Sequence, residues 1–225
     1  VEPIDLRAVA FDLDGTLYPN SQILLPSLGL LLSHLKFILA FEKARKELRA
    51  LGMVENFHEK QAQLVAKELG IKPVAAERLI EEKVYTGWFR HFKNFKIYEG
   101  VKSFIQSCRA LGLKTAVMSD FPIRSRLDDL GLGGLWDVSF SSEDVGALKP
   151  HVRCFQELSS RLNVKESQIL YIGNDYEYDV VGAKAAGLWA AHLTKKYRQG
   201  SLADVSFARY PQLSEWFQRV FSFNA

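Results

Sequence analysis

Short apolar runs, each closed by a polar residue, alternate with helical periodicity along most of this chain. Residues 7–13, "RAVAFDL", form the first such run, and its length predicts a strand buried on both faces. From about residue 20 to 95 no comparable run recurs and the spacing is helical throughout. Residues 26–51 predict one or two helices, the second charged in "EKARKELRA". Residues 54–70 predict a helix stopped by Gly70, and residues 74–88 another, entered after Pro73.

After Gly100 the two patterns alternate. "VKSFIQSCRALG" predicts a helix and "KTAVMSD" a strand. "IRSRLDDLG" is helical and "WDVSFSS" a strand. "HVRCFQELSSRLN" is helical and "SQILYIGND" a strand. "DVVGAKAAG" is helical, "LWAAHLT" a strand and "ADVSFA" a last short strand. Apolar strands that alternate with helices imply an α/β fold, a Rossmann-like parallel sheet with helices on both faces. One strand thus precedes a helical insertion, and the other strands follow it.

Composition narrows the function classes. The 225 residues carry 29 Lys and Arg against 26 Asp and Glu, a formal net charge of +3, and no clustered basic stripe argues for nucleic acid. Residues 23–41, "ILLPSLGLLLSHLKFILAF", have the length of a short membrane span, but Pro26, His34 and Lys36 disfavour one. They predict an apolar helix packed inside the protein or against a second copy, so a monomer or homodimer with no membrane partner. Cys108 and Cys154 form no CxxC pair and read as buried reduced thiols, which fits a cytoplasmic location. The five histidines show no metal-ligand spacing. Arg124 and Arg126 read as solvated helix charges, and "WFRHFKNFK", residues 88–96, as a hinge back to the sheet.

The chemistry gathers at strand ends. Asp12 and Asp14 close the first strand, followed by Gly15 and Thr16. Ser119 and Asp120 end "AVMSD", Lys149 sits in "ALKP", and Asn174 and Asp175 follow "ILYIG", with Asp179 four residues on. In parallel sheets ligands bind beyond the carboxyl ends of the strands, so all of these face one edge. Carboxylates brought together repel unless a cation joins them. Oxygen ligands suit Mg2+, and a divalent ion with a lysine neutralises a phosphoryl group.

These four segments, in this order, resemble the haloacid dehalogenase superfamily of hydrolases. "DLDGT" is similar to its first motif, Ser119 to the second, the lysine of "GALKPHVRCF" to the third and "IGNDYEYDVVGAKAAG" to the fourth. The resemblance implies an α/β core of residues 1–17 and 97–225 and a helical cap of residues 18–96. It implies a Mg2+-dependent phosphatase of a small phosphorylated metabolite. Asp12 would be the nucleophile and Asp14 the general acid and base. Ser119, Asp120, Lys149, Gly15 and Thr16 would bind phosphate, Asp120 through its backbone N–H. The metal would be held by Asp12, Asp14 and an acidic side chain of the fourth motif. Asn174 stands where the family has its usual aspartate, so Asn174, Asp175 and Asp179 are the metal candidates there. Asp14 speaks against a dehalogenase, which needs no acid at that position. A sugar phosphomutase and a non-catalytic phospho-ligand or protein-binding module are the alternatives.

Overall fold

The apolar runs become β1 (Ala8–Phe11), β2 (Lys114–Ser119), β3 (Val138–Ser141), β4 (Ile169–Gly173), β5 (Trp189–Leu193) and β6 (Val205–Phe207). In the computed structural model, which describes residues 5–87, 89–196 and 198–221 apart from the side chains of residues 24–33 and 221, they form one sheet in the order β3-β2-β1-β4-β5-β6. Every neighbouring pair is parallel.

Both faces of the sheet are covered, which is why the central strands β1 and β4 are buried at every position. Val9 and Phe11 turn to one face and join Val117, Leu170 and Ile172; Ala8 and Ala10 turn to the other and join Ala116, Met118 and Tyr171. The first face is packed by α4 (Val101–Ala110) and α8 (Tyr210–Phe221), through Phe104, Ile105, Leu213 and Phe217. The second is packed by α6 (Val152–Leu162) and α7 (Gly182–Ala185), through Cys154, Phe155, Leu158 and Ala183. Small alanines on the β1 strand let this second helix layer come close.

The helical insertion lies between β1 and β2. It comprises α1 (Ser21–Leu51), α2 (Phe57–Leu69) and α3 (Pro73–Ile80), then a wider π-turn at Glu81–Thr86 and a 3-10 turn at Phe89–Asn94. The two crossings back to the sheet are tied together. Tyr98 N donates to Leu17 O at 2.9 Å. The Gln22 amide pairs with both backbone groups of Lys96, at 2.7 and 2.8 Å.

Several elements differ from expectation. α1 starts at Ser21 rather than residue 26 and is one span broken at His34, whose φ of −138° is not helical; the pairing of Gln22 with Lys96 holds its first turn. The side chains of residues 24–33, most of the apolar run, and Trp88 of the hinge stretch lie outside the described residues. Among those described, no helix is long and apolar enough to cross a membrane. Only Arg126–Asp129 of "IRSRLDDLG" is helical, as α5. The "DVVGAKAAG" helix opens earlier, as a π-turn over Tyr176–Val181. α8 was not expected, although Tyr210, Leu213, Phe217 and Val220 are spaced to share one helix face and all are buried.

Register places the strand ends level. Phe11 pairs with Val117 on one side and Ile172 on the other, so Asp12 stands beside the ends of β2 and β4. The sheet runs outward in opposite chain directions from the β1–β4 boundary. That boundary is the crevice where open parallel sheets bind ligands.

Candidate active site

The backbone turn after β1 carries the first two carboxylates. Asp12 N continues the ladder by donating to Ile172 O at 2.8 Å. Gly15 follows with φ of +88°, and a Cβ there would fall 2.5 Å from the Asn20 amide and 2.7 Å from that of Asn174. The left-handed turn and the close approach of two other loops both require glycine. The unexpected α8 holds this turn from below, because Tyr210 OH donates to Thr16 O at 2.9 Å.

Asp12 is buried and both of its oxygens are engaged. Oδ1 accepts from Lys149 Nζ at 2.7 Å, and Oδ2 from Thr16 Oγ1 at 2.9 Å. Lys149 Nζ also donates to Asp179 Oδ1 at 2.6 Å and to the Tyr171 hydroxyl at 3.3 Å. Burial works against the Lys149 ammonium, but Asp12 and Asp179 outweigh it and raise its pKa well above the ordinary value. Burial pushes the Asp12 carboxyl up. Lys149 pulls it down, Asp179 and Asp14 push it up again, and it ends raised. Asp179 is raised in the same way, by burial against the pull of Lys149. Gly173 makes room for this arrangement: a Cβ there would lie 2.3 Å from the Asp179 side chain.

Asp14 is bound quite differently. Arg126 Nη1 donates to its Oδ1 at 2.8 Å and its Oδ2 at 3.0 Å. Tyr18 OH donates to Oδ1 at 2.5 Å and Ser119 Oγ to Oδ2 at 2.7 Å. Burial raises this carboxyl, but Arg126, Tyr18 and Ser119 together hold it below the ordinary carboxylate range. Ser119 is fully used as well. Its one O–H goes to Asp14, while Arg126 Nη2 at 2.8 Å and Phe121 N at 3.0 Å donate to its oxygen.

One end of the Asn174 amide points between the two aspartates. It lies 3.0 Å from Asp14 O, 3.2 Å from Asp12 Oδ2 and 3.0 Å from Thr16 Oγ1. A nitrogen at that end donates to the two acceptors. An oxygen there instead brings three oxygens together, one each from Asn174, Asp14 and Asp12. Two edges of that triangle, 3.0 and 3.2 Å, are close to the ~2.9 Å between adjacent oxygens around a Mg2+ ion with bonds of about 2.05 Å. The charge balance also fits a cation, since among the described residues Asp12, Asp14 and Asp179 are ion-paired only with Lys149 and Arg126. Among the described residues no three His, Cys, Asp or Glu side chains converge on a metal; the set here relies on an amide and a carbonyl.

Of the metal candidates in the fourth motif, Asp175 points elsewhere, while Asp120 was expected to act through its backbone N–H and not its carboxylate. Asp175 caps the turn that follows it, its Oδ1 accepting from Tyr178 N at 2.9 Å. The Asp120 carboxylate faces away from Asp12 and accepts from Ser142 Oγ, Lys149 N and Arg49 Nη2 at 2.6, 3.0 and 2.7 Å. Asp179 Oδ2 accepts from Asp175 N at 2.9 Å, so its carboxylate joins Lys149 to the Asp175 backbone. Asp12, Asp14, Thr16, Ser119, Lys149, Asn174 and Asp179 do come together.

Sequence reasoning missed Arg126. The expected solvated charge is fully buried, with its guanidinium 4.5 Å from the Phe89 ring centroid and 5.1 Å from that of Phe92. Its neighbour Arg124 does lie at the surface, paired with Glu81 at 2.7 Å.

α1 reaches over the site with two further arginines. Arg45 is buried, donates to Glu143 Oε1 in the 3-10 turn Ser142–Val145 and to Asp120 O at 2.6 Å, and lies 4.2 Å from the Phe121 ring centroid. Arg49 donates to Lys149 O at 3.1 Å and stacks 4.3 Å from the Tyr178 ring. A cleft of about 570 Å³ between α2, α3 and the loops after β2 and β3 is lined by His58, Arg78, Tyr85 and Arg124, but by none of Asp12, Asp14 or Lys149.

Comparisons with known proteins bear on the fold and the family. Glyceraldehyde 3-phosphate phosphatase of Methanopyrus kandleri is 27% identical over 211 residues, which cover 89% of this chain and 87% of that protein. Phosphoglycolate phosphatase of Shigella dysenteriae is 26% identical over 225 residues, covering 90% and 86%. The 2-haloacid dehalogenase of Pseudomonas syringae superposes with a TM-score of 0.69 over 95% of this chain and 99% of that one, at 21% identity, a likeness of fold. A profile for haloacid dehalogenase-like hydrolases matches residues 6–187, four-fifths of the sequence, and with the four strand-end segments in place the chain belongs to the haloacid dehalogenase-like hydrolase family.

Proposed function

We propose that this hydrolase is a Mg2+-dependent phosphatase of a small phosphorylated metabolite, working through an aspartyl-phosphate on Asp12. The observation that carries the reading is the pair of differently held carboxylates. Asp12 has an oxygen on Lys149 and an oxygen toward Asn174, while Asp14 stands two residues on with its own donors. A nucleophile and a separate acid–base group are what ester hydrolysis in two steps requires. Two relatives that cover most of this chain are named as phosphatases of three- and two-carbon phosphate esters.

In the first step an Asp12 oxygen attacks phosphorus. The O–P bond forms, the ester P–O bond breaks, and the leaving alkoxide takes a proton from Asp14. In the second step water attacks the aspartyl-phosphate, Asp14 takes its proton, and orthophosphate leaves. Lys149 neutralises phosphoryl oxygens. Asp14 as it stands is a carboxylate with donors on both oxygens, suited to the base role. The acid role needs a proton on it and the release of one of those hydrogen bonds. Asp12, the Asp14 carbonyl and the Asn174 amide oxygen would hold Mg2+, which supplies positive charge beside the phosphoryl group. The helical segment, residues 18–96, acts as a cap over the site, and Arg45 and Arg49 fasten it down.

The test is release of orthophosphate from p-nitrophenyl phosphate and from a panel of two- and three-carbon phosphate esters, with Mg2+, with EDTA, and with Asp12→Asn. The reading expects Mg2+-dependent release that Asp12→Asn lowers by more than about 10³-fold. Free orthophosphate as the product separates a phosphatase from a phosphomutase. Release that survives in Asp12→Asn would overturn the assignment of the nucleophile.

A further inference from the structure

We infer that Arg126 is a positioning residue for the reaction, setting the acid–base carboxylate of Asp14 and the hydroxyl of Ser119 relative to each other; this deepens the phosphatase reading and rests on it. Arg126 lies on α5, in the stretch that follows the second motif, and belongs to none of the four motifs. Its side chain is fully buried.

Burying an arginine is costly unless its charge is met, so what it meets is informative. Nη1 bridges both oxygens of Asp14, and Nη2 bridges Ser119 Oγ and Phe121 O, at 2.8 and 3.1 Å. Among the described residues Arg126 Nε has no hydrogen-bond partner. Among the described residues, every polar contact of this guanidinium therefore goes to Asp14 or to the Ser119–Phe121 loop. The planar fork makes the geometry specific, because one end holds the carboxylate while the other holds the hydroxyl. Phe89 and Phe92, from the segment that returns to the sheet, flank the guanidinium. The rotamer of Arg126 is thus fixed from the insertion side as well as from the sheet side.

The consequence is directional. Without Arg126, Asp14 keeps Tyr18 and Ser119 but loses the donor that spans both of its oxygens, and Ser119 loses a fixed donor. A misplaced acid matters most where the leaving group needs a proton. An alkyl phosphate therefore suffers more than p-nitrophenyl phosphate, whose leaving phenolate is stable unprotonated. Misplacement of a catalytic group by about 1 Å costs on the order of 10²-fold.

The experiment measures kcat and KM for p-nitrophenyl phosphate and for whichever alkyl monoester of the panel wild-type enzyme hydrolyses fastest. The proteins are wild type, Arg126→Lys, Arg126→Gln, Asp14→Asn and the double variant Asp14→Asn/Arg126→Gln, each checked for folding by circular dichroism and thermal melting. In Arg126→Gln, kcat falls about 30- to 100-fold on the alkyl ester and less than about 5-fold on the aryl ester. Arg126→Lys lies between Arg126→Gln and wild type, since one ammonium cannot bridge both groups. In the Asp14→Asn background, adding Arg126→Gln costs less than about 3-fold, because the residue acts through a carboxylate already gone. An equal loss on both esters that persists in the Asp14→Asn background makes Arg126 a merely structural residue and overturns the inference. So does an Arg126→Gln enzyme as fast as wild type or faster. If wild type hydrolyses none of the esters, the phosphatase reading itself fails and the inference falls with it, whereas active wild type with additive variants sinks the inference alone.

Discussion

Replacing Glu143 with leucine should cost far more stability than replacing Glu143 and Arg45 together. Glu143 has a fully buried side chain in the 3-10 turn after β3, and Arg45, 2% exposed, comes from α1 of the insertion. The two are an ion pair with supporting contacts on each side. Arg45 also donates to Asp120 O at 2.6 Å and Gln61 Oε1 at 3.2 Å, and Glu143 also accepts from Tyr85 OH at 2.9 Å. His58 Nδ1 is 3.7 Å from the same carboxylate. Glu143→Leu leaves the guanidinium facing one carbonyl, one amide and an aromatic face. Stranding one member of a buried pair costs about 3–5 kcal/mol. For a chain of 225 residues that is a fall in melting temperature of roughly 6–20 °C, at about 2–4 °C per kcal/mol.

Arg45→Met strands Glu143 and should cost a similar amount. Arg45→Met/Glu143→Leu removes both charges and fills the space with apolar side chains, so it should be more stable than either single variant. Denaturant titration of the four proteins gives the coupling energy directly. The pair joins the insertion to the α/β layers, so the single variants should also be cut faster by protease between residues 18 and 96. Additive single effects, or single variants within about 1 kcal/mol of wild type, would refute the claim that this pair holds the insertion in place.

Three further outcomes follow from the site. Asn174→Asp adds a carboxylate beside Asp12 Oδ2 and the Asp14 carbonyl, so the metal-free protein should melt lower while its Mg2+ affinity, read by isothermal titration calorimetry, rises at least about tenfold. Gly173→Ala places a Cβ 2.3 Å from the Asp179 side chain, so it should displace Asp179 from Lys149, lowering both stability and kcat, with thermal melting and steady-state kinetics as the checks. Burial raises the folded-state pKa of Asp12 despite Lys149, so folding favours its protonated form: the Asp12 contribution to the stability of metal-free protein, read as the difference between wild type and Asp12→Asn in urea titrations across pH, should be fully present below the ordinary carboxylate range and be lost as pH rises through the raised value, and saturating Mg2+ should flatten that loss.

The sheet was legible because strands buried on both faces are mostly apolar, and the runs of β1, β2 and β4 end on or just before a polar residue of the site. The strand-end rule then placed Asp12, Ser119, Lys149 and Asn174 together without any knowledge of side-chain direction. Direction is what the pattern could not carry. Asp175 sits beside a site residue in sequence, yet its carboxylate closes another loop. Arg126 was invisible for a related reason. α5 has only four residues, too few for a periodicity to separate an inward arginine from an outward one, and Arg124 two positions earlier is indeed outward. α8 was a different failure, since its apolar spacing was present in the sequence and went unread. The same logic gives Asn174 its meaning. A neutral amide next to Asp12 and Asp14 satisfies two acceptors when its nitrogen points in, and completes a set of three oxygens when its oxygen does. An aspartate at that position could do only the second. An amide at this position therefore lets the metal-free site keep its hydrogen bonds, and on the proposed function cation binding would require a turn of that one side-chain amide.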